Sequence, residues 1–375
     1  MTFVRRTLTG AAFVAAASLG LAAGQSATGG LAVRAAEPVN ITYGYHPYWT
    51  GGWAGVIIKS QELWKKHLPA GSEVTFEAHL TGPPMVNALL ADKMQVGTMG
   101  DMPSLVATTR REIGDVRLVS AGMFSEGQNC NKLLVASDAP DFASVDEATA
   151  WMSKGPLAVH RGTCANRFVD SLVEKKVVEP TRVLNMAIEV IASNFEAGQL
   201  HAAAMWEPHA RRVVEAGHAK YAATGAPWGE TDASFTLMRQ DFIEENPEAA
   251  AGWLKAEIEA LQFMAENPAA TARILAAELT GYDEMTAWAA IYERNPEAIG
   301  GAEVNYVAAV LFNDEILELM KNGYAFLHRN KVIRSGEMPE NAYNEGPAKQ
   351  ALKELGLTAP VGRIVGIARA DAPVN

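Results

Sequence analysis

Pro156-Leu157-Ala158-Val159-His160-Arg161-Gly162-Thr163 reads as a short strand, a glycine turn and the opening of a helix that continues to about residue 175. Apolar residues bounded by turn residues suit a buried strand, and glycine accepts the backbone angles of a tight turn. The same alternation extends outward in both directions. Upstream, residues 41–45, 74–78, 95–98, 116–121 and 133–135 read as strands, and 56–67, 84–91 and 145–152 as helices. Downstream, strands are expected at 189–191, 202–205 and 234–237. Strand–helix–strand spacing of this kind indicates an α/β fold with mostly parallel sheets. After Arg239 the character changes: Ala, Glu, Leu and Met dominate with helical periodicity and no good strand. Asn246-Pro247 and Asn267-Pro268 mark helix junctions, because the residue before proline avoids the helical region.

The chain has 375 residues, 49% hydrophobic and 20% charged. That is ordinary globular composition, long enough for two domains or one two-lobed unit. A formal net charge of -11 without a basic block argues against nucleic acid or an anionic membrane surface as partner. Two cysteines, Cys130 and Cys164, are too few for a disulfide scaffold. The sequence contains no Gly-x-Ser-x-Gly elbow, His-Glu-x-x-His, P-loop or dinucleotide fingerprint, so no cofactor and no metal are expected and the chain does not read as an enzyme.

Residues 1–35 carry Arg5, Arg6 and Arg34, no acidic residue, and an apolar stretch over 11–23 that ends in small residues and Val33-Arg34-Ala35. This is the pattern of a cleaved export signal, with a mature chain beginning near Ala36 outside the cytoplasm. Arg5-Arg6-Thr7-Leu8 resembles a twin-arginine signal, and an ordinary secretory signal remains the alternative. No other stretch reaches the length of an uncharged membrane span.

Four segments, the opening stretch among them, carry a family resemblance. They are Gly82-Pro83-Pro84-Met85-Val86-Asn87-Ala88-Leu89 with Val96-Gly97-Thr98-Met99-Gly100-Asp101-Met102-Pro103, then Pro156 to Thr163, then Gly198-Gln199-Leu200-His201-Ala202-Ala203-Ala204-Met205-Trp206-Glu207-Pro208, and finally Phe242-Ile243-Glu244-Glu245-Asn246-Pro247-Glu248. In this order they resemble the taurine, alkanesulfonate and nitrate family of ABC-importer solute-binding proteins, over about residues 40–280. One departure is His201, where the family usually carries an acid. The resemblance implies an α/β, two-lobed periplasmic-binding-protein fold, type II-like, with a helical C-terminal section. Lobe one would comprise 36–131 plus 232–375 and lobe two 132–231, with crossovers near 126–131 and 229–233. It also implies a monomer that passes a small molecule to ABC permease subunits in the periplasm.

Ligand sites in such sheets form at the carboxyl ends of strands. That rule selects Tyr45, His46, Tyr48 and Trp49 after the first strand, and Gly100 and Asp101 after the third. It selects Arg161, Gly162, Thr163 and Cys164 in lobe two, with Trp206 and Glu207, and Glu126 in the crossover. Tyr48 and Trp49 would form an aromatic wall. Asp101 is equally an N-cap, and Glu207 equally a partner for Arg211 at i+4. The helix start at Gly162 would attract an anion, with Arg161 and Arg167 adding donors. Cys130 and Cys164 fit a disulfide, two free thiols, or a soft-metal pair with His160. The expected ligand is a sulfonate, a taurine-like zwitterion or nitrate. The carboxylates and aromatics leave a guanidinium or ammonium cation as an alternative. A sensing subunit and a thiamine-pyrimidine enzyme are the alternatives of other classes.

Overall fold

The computed structural model describes residues 37–374. The export signal expected over 1–35 lies outside the described residues. Among the described residues twelve strands alternate with thirteen helices. The strands are β1 Asn40–Tyr45, β2 Glu73–Ala78, β3 Val96–Gly100, β4 Val116–Ser125, β5 Lys132–Ala136, β6 Pro156–Val159, β7 Arg182–Asn185, β8 Ala202–Met205, β9 Ala219–Thr224, β10 Asp232–Arg239, β11 Val304–Ala308 and β12 Gly362–Val365. The helices are α1 Trp53–Ser60, α2 Gly82–Leu90, α3 Asp101–Thr108, α4 Val145–Met152, α5 Cys164–Glu174, α6 Ile188–Glu196, α7 His209–Glu215, α8 Gln240–Glu245, α9 Pro247–Glu266, α10 Pro268–Glu278, α11 Glu284–Tyr292, α12 Asp314–Arg329 and α13 Gly346–Leu355.

Two sheets organise these elements. One has seven strands in the order β12-β11-β4-β10-β3-β1-β2, the other five in the order β7-β6-β8-β5-β9. The chain leaves the first sheet after Ser125, builds the second from Lys132 to Thr224, and returns at Asp232. The first sheet is covered on both faces. A cluster including Tyr43, Trp253 and Trp288 lies on one side; another including Met99, Leu105, Phe235 and Tyr324 lies on the other. Tyr43 and Trp253 meet with ring centroids 4.4 Å apart, joining β1 to α9. The second sheet has its own cluster around Leu133, Phe168, Ile191 and Ala203. Each fully buried large side chain of this kind, such as Phe168 or Ile57, contributes about 1.5–3 kcal/mol relative to exposure.

Three expectations are corrected. The sheets are not mostly parallel: β10 runs antiparallel to both β3 and β4, and β5 runs antiparallel to both β8 and β9. These strands enter their sheets from the crossovers, so their direction follows from the chain path between sheets. Residues 189–191 lie in α6, because Ile188, Ile191 and Phe195 share one buried helical face; that packing overrides the strand preference of Val190 and Ile191. The strand in this region is β7 instead. Finally, the segment after Arg239 does contain strands. β11 pairs with β4 and with β12, because the edge of β4 offers unpaired backbone groups that an extended segment satisfies.

Candidate ligand-binding site

A cavity of about 190 Å³ lies between elements of the two sheets. His46 and Trp49 reach it from the loop after β1. Thr81, Gly82 and Pro83 form the start of α2, Gly100, Asp101 and Pro103 the start of α3, and Gly162, Thr163 and Cys164 the start of α5. His160, Arg161, Trp206 and Leu80 complete the lining. Three helix N-termini therefore converge on one space, each bringing the positive end of its dipole.

The three starts differ chemically. In α2, Pro83 and Pro84 occupy the first turn and supply no N–H. In α3, the Asp101 carboxylate accepts from its neighbour, Met102 N, at 2.7 Å, and Pro103 again lacks a donor. At α5, Thr163 is the N-cap, and its hydroxyl oxygen accepts from Asn166 N at 3.2 Å while donating to the His160 carbonyl at 2.7 Å. The N–H groups of Cys164 and Ala165 in this first turn have no intrahelical acceptor. The turn before them is held by side chains: Asn185 Oδ1 accepts from Arg161 N and Asn166 Oδ1 from Gly162 N, each at 3.1 Å. Gly162 adopts φ +77, a left-handed conformation that favours glycine.

Of the residues selected from sequence, His46, Trp49, Gly100, Asp101, Arg161, Gly162, Thr163, Cys164 and Trp206 line the cavity. Four lie elsewhere. Tyr45 is core, stacked on Tyr43 at 5.6 Å. Tyr48 packs against Tyr282 and His209. Glu126 is exposed in the crossover. Glu207 is 1% exposed, and both its oxygens are committed, one to Arg211 N at 2.8 Å and the other to the Tyr221 hydroxyl at 2.6 Å. Its partnership with Arg211 is thus made through the backbone N–H at the start of α7. Arg167 is not part of the cavity lining: it binds Glu230 at 3.0 Å and the Thr231 carbonyl and stands 3.6 Å from Asp101, while its Nε is buried without a partner. Leu80, Thr81, Gly82, Pro83, Pro103 and His160 also line the cavity and were not selected. The proline-marked helix starts were the available signal for Thr81, Gly82, Pro83 and Pro103, and the end of β6 for His160; nothing local marks Leu80.

Charge inside the site is restrained. His46 Nδ1 lies 2.9 Å from the His79 carbonyl, which makes Nδ1 the donor, and burial lowers its pKa to about 4, so the ring is neutral. Burial also lowers the pKa of His160. Burial pushes the Asp101 pKa up, opposed by the nearby Arg167 charge. Of the alternatives for the cysteines, the disulfide is the one present: Cys130 and Cys164 are bonded, with Cα atoms 6.1 Å apart. It links the crossover to the cavity-lining start of α5.

Residues 34–280 match the NMT1-like family, and the chain belongs to that family. Two curated relatives, named as aliphatic sulfonates-binding proteins, come from Bacillus subtilis (strain 168) and Escherichia coli (strain K12). Each is 23% identical, over 49% and 57% of this chain and 54% and 64% of the relative. The chain thus matches between about half and two thirds of their length. Among solved structures, the alkanesulfonate-binding protein of Xanthomonas axonopodis pv. citri bound to MOPS superposes with TM-score 0.62 at 18% identity, over 83% of this chain and 99% of that one. The periplasmic nitrate-binding protein of Synechocystis PCC 6803 gives 0.60 at 16% identity, over 86% and 90%. A desulfurization enzyme gives 0.60 at 13% identity, over 84% and 99%. These structures share the two-lobed α/β fold with this chain; the last is an enzyme on that fold.

Proposed function

We propose that this protein is an exported solute-binding component of an ABC importer, and that it holds a small oxyanion between its two lobes. The observation that carries the reading is the start of α5. Of the three helix N-termini at the cavity it alone combines a side-chain-capped first turn with N–H groups left open, and a positive dipole end with open N–H groups binds anions. The names of the curated relatives support a sulfonate head group. Asp101, on which a cationic ligand would depend, already faces the Arg167 cation at 3.6 Å and accepts from Met102 N, although its Oδ2 has no hydrogen-bond partner.

Capture without chemistry is the reading the side chains favour. Cys164 is held in a disulfide, the Thr163 hydroxyl donates to a backbone carbonyl, and His46 Nδ1 is committed to another. The lining thus presents no nucleophile paired with a base of the kind covalent catalysis requires. The protein acts as a monomer in the periplasm, closing on its ligand and docking on permease subunits.

Thermal unfolding against taurine, alkanesulfonates, nitrate, guanidine and choline tests this. A ligand at about 100 times its Kd adds about 2.7 kcal/mol, a clear rise in midpoint. A rise with sulfonates or nitrate supports the proposal; a rise with guanidine or choline alone overturns it.

A further inference from the structure

We infer that the ligand is an aromatic sulfonate, with its oxyanion head on the start of α5 and a single flat ring against Trp49 and Trp206. This rests on the oxyanion reading above and names the body of the molecule that the head belongs to.

The division of the cavity wall is the first ground. Donors come from α5, whereas α2 and α3 present Pro83 and Pro103 where their first-turn donors would stand. Trp49 and Trp206 extend the apolar wall, and Leu80, 67% exposed, also lines it. A site shaped only for a hydrated inorganic anion would have no use for so much apolar surface.

Size is the second ground. A cavity of roughly 150 Å³ lined by apolar side chains admits benzene, so about 190 Å³ holds one ring with a compact head group. Nitrate would leave most of it unfilled.

Shape is the third. The indoles are braced by histidine rings. His160 stacks on Trp206 at 5.9 Å and 28°, and His209 meets Trp206 edge-on at 5.9 Å and 89°. His46 meets Trp49 edge-on at 6.3 Å. Trp49 comes from the loop after β1 yet packs in the apolar cluster of the second sheet, so its ring is held between the two halves. Fixed flat faces favour a flat partner over a chain that must lose rotamer freedom. Trp49 Nε1 and His160 Nδ1 are buried without a protein partner, as is Asp101 Oδ2; of these the Trp49 N–H is a donor for the ligand's oxygens.

Calorimetric titration of the processed protein with benzenesulfonate, cyclohexanesulfonate, methanesulfonate and nitrate tests the inference. Benzenesulfonate should bind roughly a hundredfold tighter than methanesulfonate, the expected return for burying a ring. It should bind about two- to tenfold tighter than cyclohexanesulfonate, which has the bulk without the flat face. Trp206→Phe should keep the aromatic preference and Trp206→Ala should erase it; if the alanine variant fails to fold, the wild-type series decides alone. Methanesulfonate or nitrate binding as tightly as benzenesulfonate would overturn the inference while leaving the oxyanion reading intact. Cyclohexanesulfonate binding as tightly as benzenesulfonate would overturn the flat-ring assignment. Failure of every oxyanion to bind would remove the oxyanion reading, and this inference with it.

Discussion

Arg167 on α5 stands 3.6 Å from Asp101 at the start of α3, so a guanidinium from the second-sheet half neutralises a carboxylate from the first at the edge of the cavity. The same guanidinium binds Glu230 at 3.0 Å and the Thr231 carbonyl in the return crossover. Asp101, Glu230 and Arg167 are all buried. One cation thus ties together the site, the crossover and both halves.

Removing that cation leaves the buried Asp101 carboxylate without its charged partner and takes one of two cations from Glu230, which also meets Lys175 Nζ at 3.2 Å. Arg167→Met should destabilise the protein by about 3–5 kcal/mol, read as a lower urea midpoint with an unchanged slope. Arg167→Lys should recover part of the loss, since an ammonium keeps the charge without the planar fork. A loss under about 1 kcal/mol for Arg167→Met, typical of an exposed pair, would show that these carboxylates are solvated in the native state.

Asp232 predicts a pH dependence. Its Oδ2 accepts from Cys130 N at 3.4 Å, while Oδ1 is buried without a partner. Burial, then the Asp101 charge, push its pKa up from 3.8 to about 7. The native state therefore holds a proton that the unfolded chain releases, so this group's contribution falls as pH rises from about 4 to about 7. Asp232→Asn keeps an acceptor for Cys130 N and cannot ionise. Denaturation of both proteins at about pH 5 and pH 8 should show the variant gaining on the wild type at the higher pH. Parallel pH curves would rule out Asp232 as the source.

The disulfide spans 34 residues of sequence. Chain entropy assigns such a loop about 3–4 kcal/mol, so the Cys130→Ser, Cys164→Ser double variant should lose stability of that order in chemical denaturation. Thiol titration of the unfolded, unreduced wild type should find no free thiol, and reduction should release both. A full thiol count before reduction would contradict the bond.

Gly162 isolates backbone strain from packing. Its φ is +77 and an added Cβ would meet nothing within 4 Å. Gly162→Ala should still cost roughly 1 kcal/mol, because a β-carbon disfavours the left-handed region. Gly162→Asn should cost less, since asparagine visits that region more readily. Equal midpoints for glycine and alanine in thermal unfolding would place the turn in another conformation in solution.

Much of the candidate cavity's lining was legible because its parts are local. The Gly162-Thr163 turn, the helix start at Cys164, the Gly100-Asp101 junction and Trp206 after β8 are each set by a few neighbouring residues, and strand ends predict where they emerge. Glu207 and Tyr45 fall outside the cavity lining for the complementary reason. Both follow or end strands at the right edge, but Glu207 turns to cap α7 and bind Tyr221, and Tyr45 turns into the Tyr43 stack. Which way a side chain turns at a strand end depends on what packs there.

Sequence by itself determined the α/β alternation, the proline-bounded helix junctions and the glycine turn, since backbone hydrogen bonding and apolar periodicity act over about ten residues. Only the tertiary structure decided that β11 and β12 extend the first sheet, that Arg167 pairs with Asp101 and Glu230, and that Cys130 meets Cys164. Each of these outcomes depends on groups brought together from distant parts of the chain. Burial then makes every unpaired charge and open sheet edge costly enough to select one arrangement.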